Sequence, residues 1–222
     1  MENGKKRSDR WKGLINRFQR YLIFLGEYLF LERPRGLDFT MRDTGLYQKS
    51  AGKYHGYSKT DEGHLREIFT SLDFSRCRRL LDVGCGSGIL SVVALKYGAN
   101  HALGTDLDPN AIIASEENSV QNNITKEQFE VIEGNIIDDK NIKDRCGYEC
   151  YDIVCANILA DVLEPLSVNI HEHMKHGAYF ITSGIINTKE DEVVNAFKKN
   201  SELEIVEINH DGEWVNVTAR RK

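Results

Sequence analysis

The sequence predicts an α/β chain: a mostly parallel sheet covered by helices on both faces and closed by an antiparallel hairpin at its C-terminal end. Three observations carry this. Short apolar runs at 79–83, 102–106, 129–133, 151–156 and 178–183 alternate with helix-periodic segments at 88–97, 109–121, 159–174 and 188–199, the order of βαβ units in a parallel sheet. The strand runs are mostly apolar and do not strictly alternate, as expected of strands covered on both faces. The last two runs, 203–209 and 213–219, do alternate and flank Asp211-Gly212, a hairpin signal.

Residues 1–10 show no periodic pattern. From Trp11 to Phe30 the apolar residues Leu14, Phe18, Tyr21, Leu22, Leu25, Tyr28 and Leu29 fall on roughly one face of a helix. This helix is expected to pack on the domain or on a second subunit, making a homodimer possible; a substrate- or RNA-facing arm, or a membrane-surface helix, is the alternative. Arg33-Pro34-Arg35-Gly36 ends it. Residues 36–60, rich in Gly, Tyr, Lys and Ser, read as a lid over a ligand site or as a linker. A helix at 61–72 leads into the first strand. The expected organisation is therefore an N-terminal helix with a lid-like loop over 1–60, and an α/β domain over 61–222.

Length and composition bound the function. A chain of 222 residues, 41% hydrophobic, fits one domain with appendages. Its net charge of −5 gives no general attraction to nucleic acid. The first 20 residues hold seven Lys/Arg against two acids, so nucleic acid is a possible partner only through this arm. The five cysteines form no C-x-x-C pair, which suggests a reducing, cytoplasmic setting. They offer no metal site. The apolar stretch at 21–31 is interrupted by Gly26 and Glu27 and falls short of the ~20 residues a membrane span needs. No signal peptide is expected.

The chemistry gathers at Leu80-Leu81-Asp82-Val83-Gly84-Cys85-Gly86-Ser87-Gly88. A buried strand ends in an acid, and alternate glycines turn the chain into a helix. Such glycines permit positive φ and close approach of a ligand, and the helix start offers unpaired N–H groups to an anion. A dinucleotide G-x-G-x-x-G would need glycine where Ile89 stands, and a Walker loop would need a lysine. The pattern present, acid-x-G-x-G-x-G, is that of S-adenosylmethionine-dependent methyltransferases. The next strand ends in Asp106, 18 residues after Gly88, where a carboxylate holds a ribose diol. Asp108 and Pro109 suit the cap and first position of the helix that follows.

The third stretch is Tyr151-Asp152-Ile153-Val154-Cys155-Ala156-Asn157-Ile158-Leu159-Ala160. An Asn carbonyl at a strand end accepts a hydrogen bond from an amine and aims its lone pair, which is the positioning that in-line methyl transfer needs. Asn157 is no general base, so the amine must lose its proton elsewhere; a plain helix cap is the alternative role. Asn135, ending the third strand, is a candidate for the adenine edge. His171, His173 and His176 read as cations near a helix C-terminus, and Trp214 and Tyr179 as core.

Asp82 to Ser91, Gly104 to Pro109, Ala156-Asn157-Ile158-Leu159-Ala160, Ser183-Gly184-Ile185 and Glu213-Trp214 resemble the ribosomal protein L11 methyltransferase (PrmA-type) family over about residues 60–222. The resemblance implies a Rossmann-like, seven-stranded methyltransferase sheet and S-adenosylmethionine as donor, leaving S-adenosylhomocysteine (SAH). It implies protein amines, lysine or N-terminal, as acceptors, with the ribosome among the possible partners. Asp82, Gly84, Cys85, Gly86, Gly88, Asp106 and Leu107 are then cofactor-binding, and Asn157 stands at the methyl-acceptor site and against the cofactor. His55 to Glu62 occupies the place of a Phe-Gly-Thr-Gly-x-His-x-Thr-Thr-type segment, and Thr60 there takes the position of a threonine near the cofactor. A small molecule or nucleic-acid base as acceptor, or a non-catalytic cofactor-binding scaffold, are the alternatives. The Asn-Pro-Pro-aromatic run of base methylators is replaced by Asn157-Ile158-Leu159.

Overall fold

The computed structural model describes residues 73–222. The expected helices at 11–30 and 61–72, the lid-like loop and Thr60 lie outside them.

The described elements run β1 (Leu80–Val83), α1 (Ile89–Lys96), β2 (Ala102–Asp106), α2 (Pro109–Gln121), β3 (Phe129–Glu133), α3 (Lys140–Cys146), β4 (Tyr151–Asn157), α4 (Ala160–Asn169), β5 (Met174–Ile186), α5 (Glu190–Lys199), β6 (Leu203–Asp211) and β7 (Trp214–Arg221). Seven strands form one sheet in the order β3-β2-β1-β4-β5-β7-β6. The first five are parallel, and β7 pairs antiparallel with both β5 and β6. The order reverses between β1 and β4. In open α/β sheets the crevice at that switch, beyond the carboxyl ends of the strands, takes the ligand.

Two cores flank the sheet. Ile153, Cys155, Tyr179 and Ile181 pack with α1 on one face. Leu81, Val154, Ala156, Phe180, Val217 and Ala219 pack with α4 and α5 on the other. This is why β1 and β4 read as unbroken apolar runs: alternate residues enter different cores. Helix α1 is buried on nearly every side, Ile89 to Leu95 all lying inside, whereas α5 shows only Val193, Val194 and Phe197 to the core and is polar elsewhere. Asp108 caps α2 as expected, its carboxylate accepting from the Asn110 N–H at 2.8 Å, with Pro109 at the first position.

Three expectations are corrected. The helix expected through Met174 ends at Asn169. A short 3-10 turn follows, and β5 begins at Met174, paired with Tyr151. His173 explains the early turn: it is buried, its Nδ1 lies 2.6 Å from the Gly147 carbonyl, and its ring stacks on Tyr148. Burial lowers its pKa, so it is no dipole-facing cation. His171 and His176 turn to Asn200 and the Lys222 carbonyl instead, and no group that could hold a metal occurs among the described residues. Tyr179 is core, but Trp214 at the mouth of β7 is only half-buried.

Candidate active site

The carboxyl ends of β1, β2 and β4 bring together the three stretches singled out above. The turn after β1 is anchored from below. Gly84 N–H and Cys85 N–H both donate to the Thr105 carbonyl, at 2.8 and 3.0 Å, and Gly88 N–H donates to the Cys85 carbonyl at 2.8 Å. Gly84, Gly86 and Gly88 all have positive φ, between +54° and +74°, which an L side chain takes at a cost of about 1–2 kcal/mol.

The three glycines differ in what surrounds them. A Cβ on Gly84 would fall 2.4 Å from the Ile158 Cγ2. A Cβ on Gly88 would fall 2.8 Å from the Phe129 ring and 2.9 Å from the Ser115 Oγ. Packing alone requires glycine at both. A Cβ on Gly86 would meet nothing within 4 Å among the described residues. Gly86 thus borders open space, the cradle into which a ligand backbone can settle.

Asp106 closes one side of that cradle. Its Oδ2 accepts from the Gly86 N–H at 2.8 Å and its Oδ1 from the Asp108 N–H at 3.0 Å. A carboxylate has about four lone-pair sites, so two remain for a diol. Leu107, next in sequence, is 67% exposed and presents a bare apolar surface there. Asn135, partly exposed, spends its Oδ1 on the Ile137 N–H at 2.9 Å.

Two sequence-predicted residues are placed away from the cradle. Asp82 is expected from the resemblance to bind the cofactor, but its side chain is fully buried beneath the turn. Its Oδ2 accepts from the Ser91 hydroxyl at 2.8 Å and the Ser91 N–H at 3.3 Å, and Cys155 Sγ lies 3.7 Å from its Oδ1. Asp82 therefore ties the end of β1 to the first turn of α1. Burial pushes its carboxyl up to about 6, with the Ser91 hydrogen bonds opposing that shift. The Cys85 side chain also points inward, its Sγ 3.7 Å from the Ser115 Oγ, so only its backbone belongs to the turn. Burial raises its thiol well above the usual range.

Asn157 ends β4 and is partly exposed. Its side chain has no hydrogen-bond partner among the described residues, unlike the capping Asp108. Beside it β5 carries a bulge between Thr182 and Ile185. Gly184 sits in that bulge at φ +78°, where a Cβ would lie 2.9 Å from the Ile158 carbonyl and 3.1 Å from the Asn157 Oδ1. The Ser183-Gly184 step therefore shapes the seat of Asn157. Leu159, 68% exposed, follows on the rim.

Sequence reasoning missed two residues of α2. Ser115 Oγ donates to the Gly86 carbonyl at 2.9 Å and Asn118 Nδ2 to the Ser87 carbonyl at 2.8 Å. Both side chains are buried. Their only signal in the sequence was two polar residues three apart, Ser115 and Asn118, on the inward face of a helix.

Residues 67–222 match the model of the family described as ribosomal protein L11 methyltransferase (PrmA). The chain belongs to that family. A ribosomal protein L11 methyltransferase of Lachnospira eligens is 87% identical over 143 residues, 64% of this chain and 45% of the relative. That of Agathobacter rectalis is 51% identical over 142 residues, 64% of this chain and 44% of the relative. The chain thus spans a little under half the length of these relatives. Among solved structures, a ribosomal protein L11 methylase of Lactobacillus delbrueckii subsp. bulgaricus superposes with a TM-score of 0.59 at 26% identity, covering 76% of this chain and 90% of that one. An RNA methyltransferase of Salinibacter ruber, solved in complex with SAH, shares the fold with a TM-score of 0.51 at 12% identity, over 75% of this chain and 94% of that one.

Proposed function

We propose that this chain is an S-adenosylmethionine-dependent N-methyltransferase whose acceptor is a protein amine, a lysine side chain or an N-terminus. The observation that carries the reading is the pairing, at one sheet switch, of the cradle at Gly86 and Asp106 with an Asn157 whose side chain, like the space at Gly86, has no partner among the described residues. The relatives' names, all ribosomal protein L11 methyltransferases, support a ribosomal protein as the acceptor. Among the described residues no helix is long and apolar enough to cross a membrane.

Roles follow from position. Gly86 leaves room for the sugar and amino-acid parts of the cofactor to lie across the turn. Asp106 holds the ribose diol with its two remaining lone-pair sites, and Leu107 and Asn135 flank the base. Gly84, Gly88 and the Cys85 backbone give the turn its shape, and Asp82 fixes it from beneath. S-Adenosylmethionine supplies a methyl group already activated on a sulfonium. The protein then has mainly to align an amine lone pair with it. Asn157 Oδ1 accepts an N–H of the neutral amine and so aims the lone pair, while Gly184 keeps the space beside that oxygen free. An amide takes up no proton at neutral pH, so the amine is deprotonated before it docks. Thr60, outside the described residues, completes the cofactor side in this reading, and 61–222 forms the catalytic domain.

The test is transfer of radiolabelled methyl from S-adenosylmethionine to purified ribosomal protein L11 and to a fractionated bacterial lysate, by wild type and Asn157→Ala. Label in a protein band that the variant loses supports the reading. Label in RNA or small molecules alone moves the acceptor to another class.

A further inference from the structure

The turn at 84–88 has to present N–H groups to a ligand, yet three glycines in five residues leave its peptide planes free to rotate. Something outside the turn must fix them. In a trans peptide the C=O and the following N–H point in opposite directions. A donor that captures a carbonyl therefore also aims the next N–H the other way. Ser115 Oγ captures the Gly86 carbonyl at 2.9 Å. The Ser87 N–H is then turned away from α2 and toward the open side of the turn, where a Cβ on Gly86 would meet nothing. Asn118 Nδ2 does the same for the Ser87 carbonyl at 2.8 Å. That fixes the next plane, whose Gly88 N–H closes the turn on the Cys85 carbonyl at 2.8 Å. From the other side the Gly86 N–H is held by Asp106 at 2.8 Å. Of the turn's central N–H groups, the one at Ser87 is left without a partner among the described residues.

We propose that Ser115 and Asn118 are positioning residues for the cofactor. By gripping two successive carbonyls from α2, they pre-set the Ser87 N–H as the donor to the anionic carboxylate of the cofactor's amino-acid end. This rests on the cofactor reading above and adds to it a clamp outside the glycine motif. The chain's geometry supports a dedicated clamp. The two residues lie three apart on one face of α2, both are buried, and the same helix starts three residues after Asp106, at Pro109, so a short capped connection joins the strand that carries the acid to the helix that carries the clamp. Neighbouring Ser119 is the contrast. It is also buried, but its hydroxyl bonds to the Ser115 carbonyl at 2.7 Å, within the helix.

The experiment titrates SAH by isothermal calorimetry into the full chain, wild type and the variants Ser115→Ala, Ser115→Thr and Ser119→Ala, with thermal melts of each. Ser115→Ala is expected to weaken SAH binding about tenfold, equivalent to about 1.4 kcal/mol. Ser115→Thr keeps a hydroxyl and is expected to recover most of the affinity. Ser119→Ala is expected to bind as wild type does, whatever it loses in melting temperature. Wild-type affinity in Ser115→Ala overturns the proposal. So does an equal loss in Ser119→Ala, because the effect would then be one of helix stability. A wild-type chain that binds no SAH overturns the cofactor reading itself, and the clamp with it.

Discussion

Replacing Asp82 with Asn probes the tie beneath the glycine turn through its pH dependence. Asp82 is fully buried, and its carboxyl sits at about 6 in the folded chain against an ordinary 3.8. The folded state therefore binds this proton more readily than the unfolded state. Stability rises as pH falls through 6 toward 3.8 and is given up again as pH rises. The full span, about 2 pH units at 1.36 kcal/mol each, is about 3 kcal/mol. Between pH 8 and pH 5 the part that appears is about 1.4 kcal/mol by the same relation. Asn is nearly isosteric and still accepts from Ser91, but it does not titrate. Its amide nitrogen faces only the Cys155 sulfur, a weak acceptor, so the absolute stability of Asp82→Asn mixes a relieved charge with a poorly satisfied donor. The difference between the two proteins as a function of pH is the clean quantity. Exposed carboxylates with lowered values, such as Glu149 beside Arg221, slope the other way but act equally on both proteins and cancel. Urea melts at half-unit steps from pH 5 to pH 8 are expected to show wild type gaining about 1.4 kcal/mol on the variant as the pH drops. A constant difference would refute the raised value, and a difference growing with pH would reverse the argument, making Asp82 a stabilised carboxylate.

Gly86→Ala places a Cβ where the described residues leave 4 Å clear, so it should cost only backbone strain, about 1–2 kcal/mol, while SAH affinity by calorimetry falls at least about a hundredfold; wild-type affinity would mean that nothing lies across Gly86. Gly88→Ala, with contacts at 2.8 and 2.9 Å, is expected instead to lower the melting temperature by several degrees or abolish folding. Asp106→Asn should weaken SAH binding by more than about tenfold with a small change in melting temperature, and equal binding would remove Asp106 from the ribose role. Gly184→Ala crowds the Asn157 Oδ1 at 3.1 Å and should reduce the methyl-transfer rate while leaving SAH affinity within about twofold; parallel losses of both would place the bulge on the cofactor side.

Most of the strand order was legible because the parallel strands enter two cores and so leave unbroken apolar runs, and because Asp211-Gly212 marks the hairpin. The acid-glycine turn and the acid at the tip of β2 were legible because their chemistry is local: positive φ, close approach and a strand-end carboxylate are properties of short segments. What sequence did not reveal is set by contacts between distant elements. Pairing between Tyr151 and Met174 draws the chain into β5 and ends α4 early, and no local pattern announces it. His173 has the sequence position of a cation at a helix end, but a contact to the Gly147 carbonyl, 26 residues away, holds its ring in the interior, where burial lowers its pKa.

Asp82 and Ser115 carry the same lesson into the site. A strand-end acid reads as ligand-facing from sequence, and Asp82 and Asp106 each follow a short apolar run; in the sheet, however, Asp82 lies one residue inside the end of β1 and pairs with Gly104, two residues short of Asp106. The structure separates them by what comes next. After β1 the chain doubles back at once, and Ser91, nine residues on, returns over the Asp82 carboxylate and seals it. After β2 the chain runs outward into the cap of α2, and the Asp106 carboxylate stays at the surface of the cradle. The turn thus divides two similar acids into one that is sealed beneath it and one that stays accessible beside it. Ser115 and Asn118 then hold that turn open from a helix whose start is tied to the second acid. The turn, β2 and α2 are therefore expected to respond to the cofactor as one unit. Hydrogen exchange with and without SAH should then show joint slowing at the amides of 84–91 and 106–118; slowing confined to the glycine turn would mean that the helix is only a support.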